Sequence, residues 1–365
     1  MRLWNDRVQC LVVAAVLFGN VSFVFAQSSA GSSVPVTSAP ATSVPAISPA
    51  PSASSAPASA QSPSAPPDQS PAPIPLTKGD DSTFILHREV DEVSLHATVI
   101  DDKDRLITNL DRSAFTVFED GHPQPITSFR HEDIPVSMGI LIDNSGSMRE
   151  KREKVNQAAL NLVRSSNAQD EVFIVNFNDE YFNDQDFTSD IGKLKEALEK
   201  YESRGGTAIF DTVEAASLHL KTNARRDKKV IFLVTDGEDN ASRDSLEIAL
   251  HYLQQDGGPT VYAIGLLGEE KQRRARRALQ LLSQRTGGIA FFPKTLDEVD
   301  QISRTVAHDI RNQYSIGYKP SNPKSAGGYR QIRVDARAHG YSKLSVRTKS
   351  GYYANPQPAA PSGEK

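Results

Sequence analysis

Five short, oxygen-bearing side chains follow strand-like or glycine-rich segments at three separate places in the chain. Asp143, Ser145 and Ser147 alternate with other residues directly after an apolar run, so their oxygens can converge where a strand turns into a helix. Asp236 follows a second apolar run, and Thr207 lies in a loop. In open α/β sheets, ligands bind beyond the carboxyl ends of the strands. The three positions therefore predict one shared site at that edge of a sheet.

The types of these five residues indicate which ligand the site would take. Two carboxylates and three hydroxyls form an all-oxygen set of low formal charge, which suits a hard divalent cation. Mg²⁺ needs only one or two carboxylates and retains waters, whereas Ca²⁺ prefers more ligands. Gly205 and Gly206 would let the loop that carries Thr207 approach without side-chain obstruction. We therefore predict a Mg²⁺ site, with Mn²⁺ or Ca²⁺ as alternative cations.

The middle of the chain has the pattern of a doubly wound, mainly parallel α/β sheet. Nearly continuous apolar runs, typical of strands buried on both faces, alternate with segments of helical periodicity. The predicted strands are residues 136–142, 172–177, 230–234, 261–266 and 289–292. The predicted helices are residues 155–162, 191–201, 212–220, 244–253, 272–282 and 296–310. The two clusters around Asp143 and Asp236 then follow the first and third strands.

Segments with a period of two flank this region on both sides. Val93, Leu95, Ala97 and Val99 alternate with polar residues, which indicates a half-buried strand. Similar strands are predicted around residues 115–117, 126–129, 314–318, 331–336 and 344–347. Because the ends of a compact inserted domain usually lie close together, we expect the flanking segments to fold into one small β-sandwich-like module.

The N-terminal part of the chain has a different composition. Basic residues and an apolar run precede Val-x-Ala before Gln27, the layout of a secretory signal peptide. The next 50 residues hold 12 of the 22 prolines and one acidic residue, so they cannot bury a core. We expect a secreted, periplasmic or cell-envelope location. The alternative is an uncleaved N-terminal anchor, with no membrane insertion of the globular part.

These patterns divide the chain into six parts. The predicted boundaries are a signal peptide at 1–26, a disordered linker at 27–77, an N-terminal β segment at 78–133, the α/β domain at 134–313, a C-terminal β segment at 314–354 and a disordered tail at 355–365. The only cysteine, Cys10, lies in the signal peptide, which excludes disulfides and cysteine nucleophiles from the globular part. The formal net charge of −4 gives no indication of nucleic-acid binding.

The Asp143-x-Ser145-x-Ser147 motif, followed by Thr207 and then Asp236, resembles the metal-ion-dependent adhesion site of the von Willebrand factor type A family. The resemblance covers residues 135–311, about half of the chain, and the flanking β segments look like those of an exported bacterial subgroup. It implies that Ser145, Ser147 and Thr207 are direct or near-direct metal ligands and that Asp143 and Asp236 act partly through water. It also implies that a protein partner supplies a carboxylate to the free coordination position.

Two other functional readings remain open from the residues alone. A metal-dependent phosphohydrolase could use Asp143 as its nucleophile, although such enzymes normally carry a second Asp where this chain has Ser145. The chain could also be a structural envelope component with an unused metal site. A serine hydrolase is disfavoured because Asp143 and Ser147 occupy the positions of the two flanking glycines. We expect a non-enzymatic, metal-dependent adhesion module.

Overall fold

The computed structural model describes residues 92–200, 203–267 and 272–354. The predicted signal peptide, linker and C-terminal tail lie outside the described residues. Within these ranges, the helices are all too short or too polar to span a bilayer.

Strands and helices are numbered here in chain order. The strands are β1 (Val93–Asp101), β2 (Phe115–Glu119), β3 (His122–Gln124), β4 (Ile126–Arg130), β5 (Val136–Asp143), β6 (Glu171–Phe177), β7 (Tyr181–Thr188), β8 (Lys228–Thr235), β9 (Thr260–Gly265), β10 (Ala290–Phe291), β11 (Tyr314–Tyr318), β12 (Tyr329–Ala336), β13 (Leu344–Arg347) and β14 (Gly351–Tyr353). The helices are α1 (Arg152–Arg164), α2 (Ile191–Glu199), α3 (Ile209–Asn223), α4 (Leu246–Leu253), α5 (Arg273–Thr286) and α6 (Glu298–Arg311).

The α/β domain is built on a six-stranded sheet with the order β10, β9, β8, β5, β6, β7. Five of these strands are parallel and β7 is antiparallel. All eight residues of β5 are buried, because the strand is central and covered on both faces. Apolar residues of α1, α2 and α6 pack on one face of the sheet, and those of α3, α4 and α5 pack on the other. The predicted doubly wound α/β class is confirmed.

The flanking β segments form a separate pair of antiparallel four-stranded sheets. One has the order β13, β1, β11, β4 and the other the order β14, β12, β2, β3. In each sheet, a strand that precedes the α/β domain pairs with one that follows it: β1 with β11, and β2 with β12. Inward-facing residues of both sheets, among them Leu95, Val117, Ile316 and Val334, share one core. The expected β-sandwich-like module is therefore present.

Three strands were absent from the sequence prediction. β7 is exposed or half-buried along its whole length, so the apolar pattern that marks a buried strand is missing. β3 and β14 contain only three residues each. The helices agree with the prediction but differ by a few residues at their ends, as for α4, which begins at Leu246 after its N-cap, Ser245.

Candidate metal centre

The carboxyl ends of β5 and β8 position the two carboxylates. These strands are parallel neighbours, with Ile142 beside Val234 in the register. Asp143 is the last residue of β5, and Asp236 follows the last residue of β8, Thr235. Because parallel neighbours end at the same edge of the sheet, the two side chains reach the same place from adjacent strands.

Asp143 is completely buried. One carboxylate oxygen, Oδ1, accepts a hydrogen bond from the backbone N–H of Ser145 (2.8 Å), and the other, Oδ2, accepts one from Thr235 Oγ1 (2.6 Å). Burial raises the pKa of Asp143 above its ordinary value, while these hydrogen bonds from Thr235 and Ser145 act to lower it. The charge of Asp236 raises the pKa of Asp143 further.

A chain of hydroxyls connects the two sides of the site. Ser145 Oγ lies 3.2 Å from Ser147 Oγ, and Ser147 Oγ donates to Asp236 Oδ1 at 2.7 Å. Ser145 and Asp236 are buried, whereas Ser147 is exposed. The arrangement therefore runs from the buried end of β5 to the protein surface.

Thr207 reaches the site from the loop before α3. Its side chain packs against Gly237, where an added β-carbon would lie 3.3 Å from Thr207 Oγ1. The structure therefore places Thr207 next to the residue that follows Asp236. Hydrogen bonds thus connect Asp143 to Ser145, Ser145 to Ser147, and Ser147 to Asp236. Thr207 forms no part of this chain of hydrogen bonds but packs beside it, against Gly237.

Two residues that were absent from the sequence prediction hold the Thr207 loop in place. Asp179 Oδ1 accepts a hydrogen bond from the N–H of Gly206 (2.6 Å), and Asn240 Oδ1 accepts one from the N–H of Thr207 (2.9 Å). A β-carbon at Gly206 would lie 2.6 Å from both acceptor oxygens. The glycine is therefore needed for the close approach of the loop, as its position in the sequence suggested.

Two cations next to the site were also absent from the prediction. The Lys151 ammonium, on a side chain that is 30% exposed, forms an ion pair with Asp236 Oδ2. Arg152 is buried and donates to Asn176 Oδ1 (2.8 Å) and to the carbonyl of Leu198 (3.0 Å). Burial lowers the pKa of Arg152 to about 10, and the negative charge of Asp143 opposes that shift. Both residues belong to a charged run in which the sequence alone distinguishes no single member.

The residues of this site fit a hard divalent cation. In the described ranges, nowhere do three or more His, Cys, Asp or Glu side chains gather into a metal-binding group, so hydroxyls would have to complete the ligand set here. The observation that favours a cation is the convergence of carboxylate and hydroxyl oxygens, with Ser147 Oγ 3.2 Å from Ser145 Oγ and 2.7 Å from Asp236 Oδ1. Mg²⁺ accepts such an oxygen set with few carboxylates.

Comparison with known proteins links these residues to a family. Residues 138–238 match the family model described as the von Willebrand factor type A domain, a range that contains all five predicted site residues. Among curated proteins, none matches this chain.

Three solved structures are similar to parts of this chain. An aerotolerance-related membrane protein from Bacteroides fragilis has 20% identity, with 48% of this chain and 98% of that chain covered and a TM-score of 0.40. A von Willebrand factor type A protein from Catenulispora acidiphila has 13% identity, with 73% and 74% covered and a TM-score of 0.43. The vWF domain of the type V pili tip protein Mfa5 from Porphyromonas gingivalis has 14% identity, with 49% and 97% covered and a TM-score of 0.40.

Proposed function

We propose that this chain, whose α/β domain is a von Willebrand factor type A domain, is an exported binding module that holds an acidic group of a partner protein at a divalent cation. The observation that carries the proposal is the connected set of Asp143, Ser145, Ser147 and Asp236 at the carboxyl ends of two neighbouring parallel strands. Domains of this family are generally non-enzymatic interaction modules, which supports a binding role.

Each residue of the site has a distinct part in this proposal. The carboxylates of Asp143 and Asp236 and the hydroxyls of Ser145, Ser147 and Thr207 would hold Mg²⁺, with Mn²⁺ or Ca²⁺ as alternatives. The bound cation would supply a positive charge with coordination capacity for a carboxylate of the partner. Because Ser147 is exposed, the site opens to solvent on the side where such a group would arrive.

The burial of Asp143 disfavours the phosphohydrolase alternative. A carboxylate nucleophile needs an accessible oxygen that can attack phosphorus. Both oxygens of Asp143 accept hydrogen bonds within the protein, and the residue has no exposed surface. A binding role does not require an oxygen of Asp143 to reach the phosphorus atom of an incoming substrate.

The proposal is tested by measuring metal and carboxylate dependence together. The full chain would be applied to immobilised peptides that contain Asp or Glu, and to matched peptides with Asn or Gln, in Mg²⁺ and in EDTA. We expect retention by the acidic peptides in Mg²⁺ and release by EDTA. If the chain shows no Mg²⁺-dependent rise in melting temperature and no EDTA-sensitive retention, the proposal is wrong. Turnover of a phosphate ester that is lost in Asp143→Ala would instead establish the enzyme alternative.

Lys151→Met is expected to bind Mg²⁺ about tenfold more tightly than the wild type. A charge-assisted hydrogen bond contributes about 1.5–3 kcal/mol, and the ion pair of Lys151 with Asp236 must be released before that carboxylate can serve a metal. Without metal, the same variant is expected to melt at a lower temperature, because buried Asp236 loses its counter-ion. Isothermal titration with Mg²⁺ and melting in EDTA measure the two effects.

Lys154→Met is the matched control for this change in charge. Lys154 pairs with Asp297 on the surface, where both side chains are more than half exposed. An exposed pair contributes little, so neither the Mg²⁺ affinity nor the melting temperature should change. Equal effects of the two substitutions would mean that only the overall charge matters, and that Lys151 does not compete for the site.

A further inference from the structure

A polar cleft lies between the α/β domain and the β-sandwich-like module, at the end of the sheet opposite to the candidate metal centre. Its volume is about 490 Å³. On the module side it is lined by outward-facing residues of β1, β4 and β11, among them Ser94, His96, Ser128 and Ser315. On the α/β side it is lined by residues 224–227, which lead into β8, and by the first two residues of that strand, Lys228 and Lys229. Clefts of about 300–1,000 Å³ between structural units are the usual location of ligand sites.

The cleft is distinct from the metal centre. Lys229 is the second residue of β8, and Asp236 follows the last residue of that strand. An eight-residue strand separates its ends by roughly 20 Å, at about 3.3 Å per residue. A ligand in the cleft therefore cannot share the donors of the metal centre.

The charge of the cleft is opposite in sign to that of the chain. Seven lysine or arginine residues line it, when Lys349 of the adjoining pocket is included, against the acidic residues Glu92, Asp227 and Asp256. This excess of four positive charges, seven minus three, contrasts with the net charge of −4 of the whole sequence. The cleft is therefore a local region of positive potential on an acidic protein.

The acidic residues leave part of this positive charge uncompensated. Asp256 pairs with Lys324 at 2.8 Å, and Glu92 accepts a hydrogen bond from Ser128 Oγ at 2.9 Å. The ammonium groups of Lys229 and Lys349 have no hydrogen-bond or ion-pair partner within the part of the chain that the structure describes. The Lys349 ammonium lies 5.4 Å from the centroid of the Tyr352 ring.

Burial and the positive charge of the cleft lower the pKa values of basic groups in and beside it. Burial lowers the pKa of Lys349 to about 8 and also lowers the pKa of Lys229. The pKa of His96 is lowered well below its ordinary value by burial and then by the charges of Lys228 and Lys349. The cleft thus holds cationic side chains in surroundings that disfavour their charge, a situation that a bound anion would relieve.

We propose that this cleft is an anion site for a phosphate group, either free phosphate or the phosphate of a small ester or lipid headgroup. The ammonium groups of Lys229 on β8 and of Lys349, in the adjoining pocket between β13 and β14, supply unoccupied charged donors, and the hydroxyl of Ser94 supplies a neutral one. Charge-assisted hydrogen bonds to phosphate oxygens are among the strongest in proteins. The volume of the cleft exceeds that of a bare phosphate, so the site has room for a phosphate ester.

The test compares phosphate-dependent stability in the full chain and in a doubly neutralised variant. Inorganic phosphate and glycerol 3-phosphate would be titrated at constant ionic strength, with chloride as reference, and vesicles of phosphatidylglycerol would be compared with vesicles of phosphatidylcholine. We expect a saturable rise in melting temperature with phosphate compounds and at least tenfold weaker binding by Lys229→Gln/Lys349→Gln. Binding of phosphatidylglycerol vesicles alone would assign the site to a lipid headgroup, and binding of the soluble compounds would assign it to a free ligand.

Two further variants make the result decisive. Arg273→Gln/Arg277→Gln removes the same charge from an exposed part of α5 and should bind phosphate as the wild type does. Ser94→Asp adds a carboxylate on the exposed side of the cleft and should weaken phosphate binding even if the lysine variant does not fold. The proposal is overturned if phosphate acts no differently from chloride, or if the lysine variant and the arginine control respond alike.

Lys349→Met is expected to melt at a higher temperature than the wild type in phosphate-free buffer at pH 7, while its response to phosphate is reduced. The folded-state pKa of Lys349, about 8, lies below the ordinary value of 10.5, so the unfolded state binds more protons between these limits. The wild type therefore gains stability as the pH rises from about 8 towards 10.5, and the advantage of the variant should shrink over that window. The titratable groups near Lys349 are Asp256, Lys324, His96, Asp227 and Lys229, and all of them are present in both proteins. Melting curves from pH 7 to 10 in both proteins measure this difference.

Discussion

Asp143→Asn is expected to abolish the rise in melting temperature that Mg²⁺ produces in the wild type. A ligand that binds only the folded state at about 100 times its Kd adds about 2.7 kcal/mol to the free energy of unfolding. For a domain of this size, that corresponds to a shift of about 5–10 °C. Asparagine keeps the shape of the side chain and an acceptor for the N–H of Ser145, but it removes the buried negative charge. The shift in the variant should therefore fall below about 1 °C.

The metal-free state of Asp143→Asn should differ little from that of the wild type. The substitution removes the unfavourable burial of a carboxylate, and it also removes the attraction between that carboxylate and buried Arg152. These effects have opposite signs, so we expect the two melting temperatures in EDTA to agree within about 4 °C. A variant that folds in EDTA and fails to respond to metal separates loss of the site from loss of the fold.

Asp170→Asn provides the matched control. Asp170 is also a buried aspartate whose pKa is raised by burial, and it accepts hydrogen bonds from the N–H groups of Val136 (2.8 Å) and Asn167 (3.0 Å). It precedes β6, at the end of the sheet away from Asp143. Its substitution should leave the full response to Mg²⁺. If both variants lose the response, the effect comes from general destabilisation, and if neither does, Asp143 is not part of a metal site.

The central sheet could be predicted from sequence because its strands are buried on both faces. The run that forms β5 is apolar almost throughout, and the same holds for the cores of β6, β8 and β9, so each is recognisable without knowledge of its neighbours. The edge strand β7 carries no such pattern, since all of its residues are exposed or half-buried. Its position depends on pairing with β6, which local sequence does not encode.

The residues of the candidate site also fall into those that the sequence predicts and those that it does not. The positions of Asp143 and Asp236 follow from the strands that precede them, because the topology of a parallel sheet brings strand ends together. Asp179 and Asn240 bind the Thr207 loop although both are distant from it in sequence. These contacts depend on the path that each loop takes in the folded chain. The same is true of Lys151, which is one of four basic residues between positions 149 and 154 of the sequence. Side chains that act through tertiary contacts have no periodicity or spacing to reveal them.

Arg330→Met is expected to destabilise the β-sandwich-like module by about 3–5 kcal/mol, the usual effect of removing one partner of a buried ion pair. Arg330 on β12 is 1% exposed, and its guanidinium lies 3.1 Å from Glu119, which is 3% exposed. The guanidinium also donates to the carbonyls of Asn322 (2.5 Å) and Pro323 (2.6 Å). The variant would leave both carbonyls and the Glu119 carboxylate without their charged donor.

The surroundings of Glu119 explain why this loss cannot be repaired locally. The hydroxyls of Tyr318 and Tyr352 both donate to Glu119, and both tyrosines are fully buried. Burial and the charge of Glu119 raise the pKa of each tyrosine above its ordinary value, so neither can lose its proton to neutralise the carboxylate. After loss of Arg330, the carboxylate must remain charged in an apolar core or take up a proton, and both outcomes lower stability.

Urea denaturation of Arg330→Met and of two further variants would show whether the unpaired charge of Glu119 causes the loss of stability. Unfolding would be followed by circular dichroism, since the single tryptophan, Trp4, precedes the described residues. Arg330→Met/Glu119→Gln should recover the part of the lost free energy that comes from the unpaired carboxylate, while the carbonyls of Asn322 and Pro323 remain without their donor. Arg333→Met, on the same strand, breaks an exposed pair with Asp335 and should cost no more than about 1 kcal/mol. If the double variant stays as unstable as Arg330→Met, the packing of Arg330 and its hydrogen bonds to the two carbonyls, rather than its pairing with Glu119, stabilise the module.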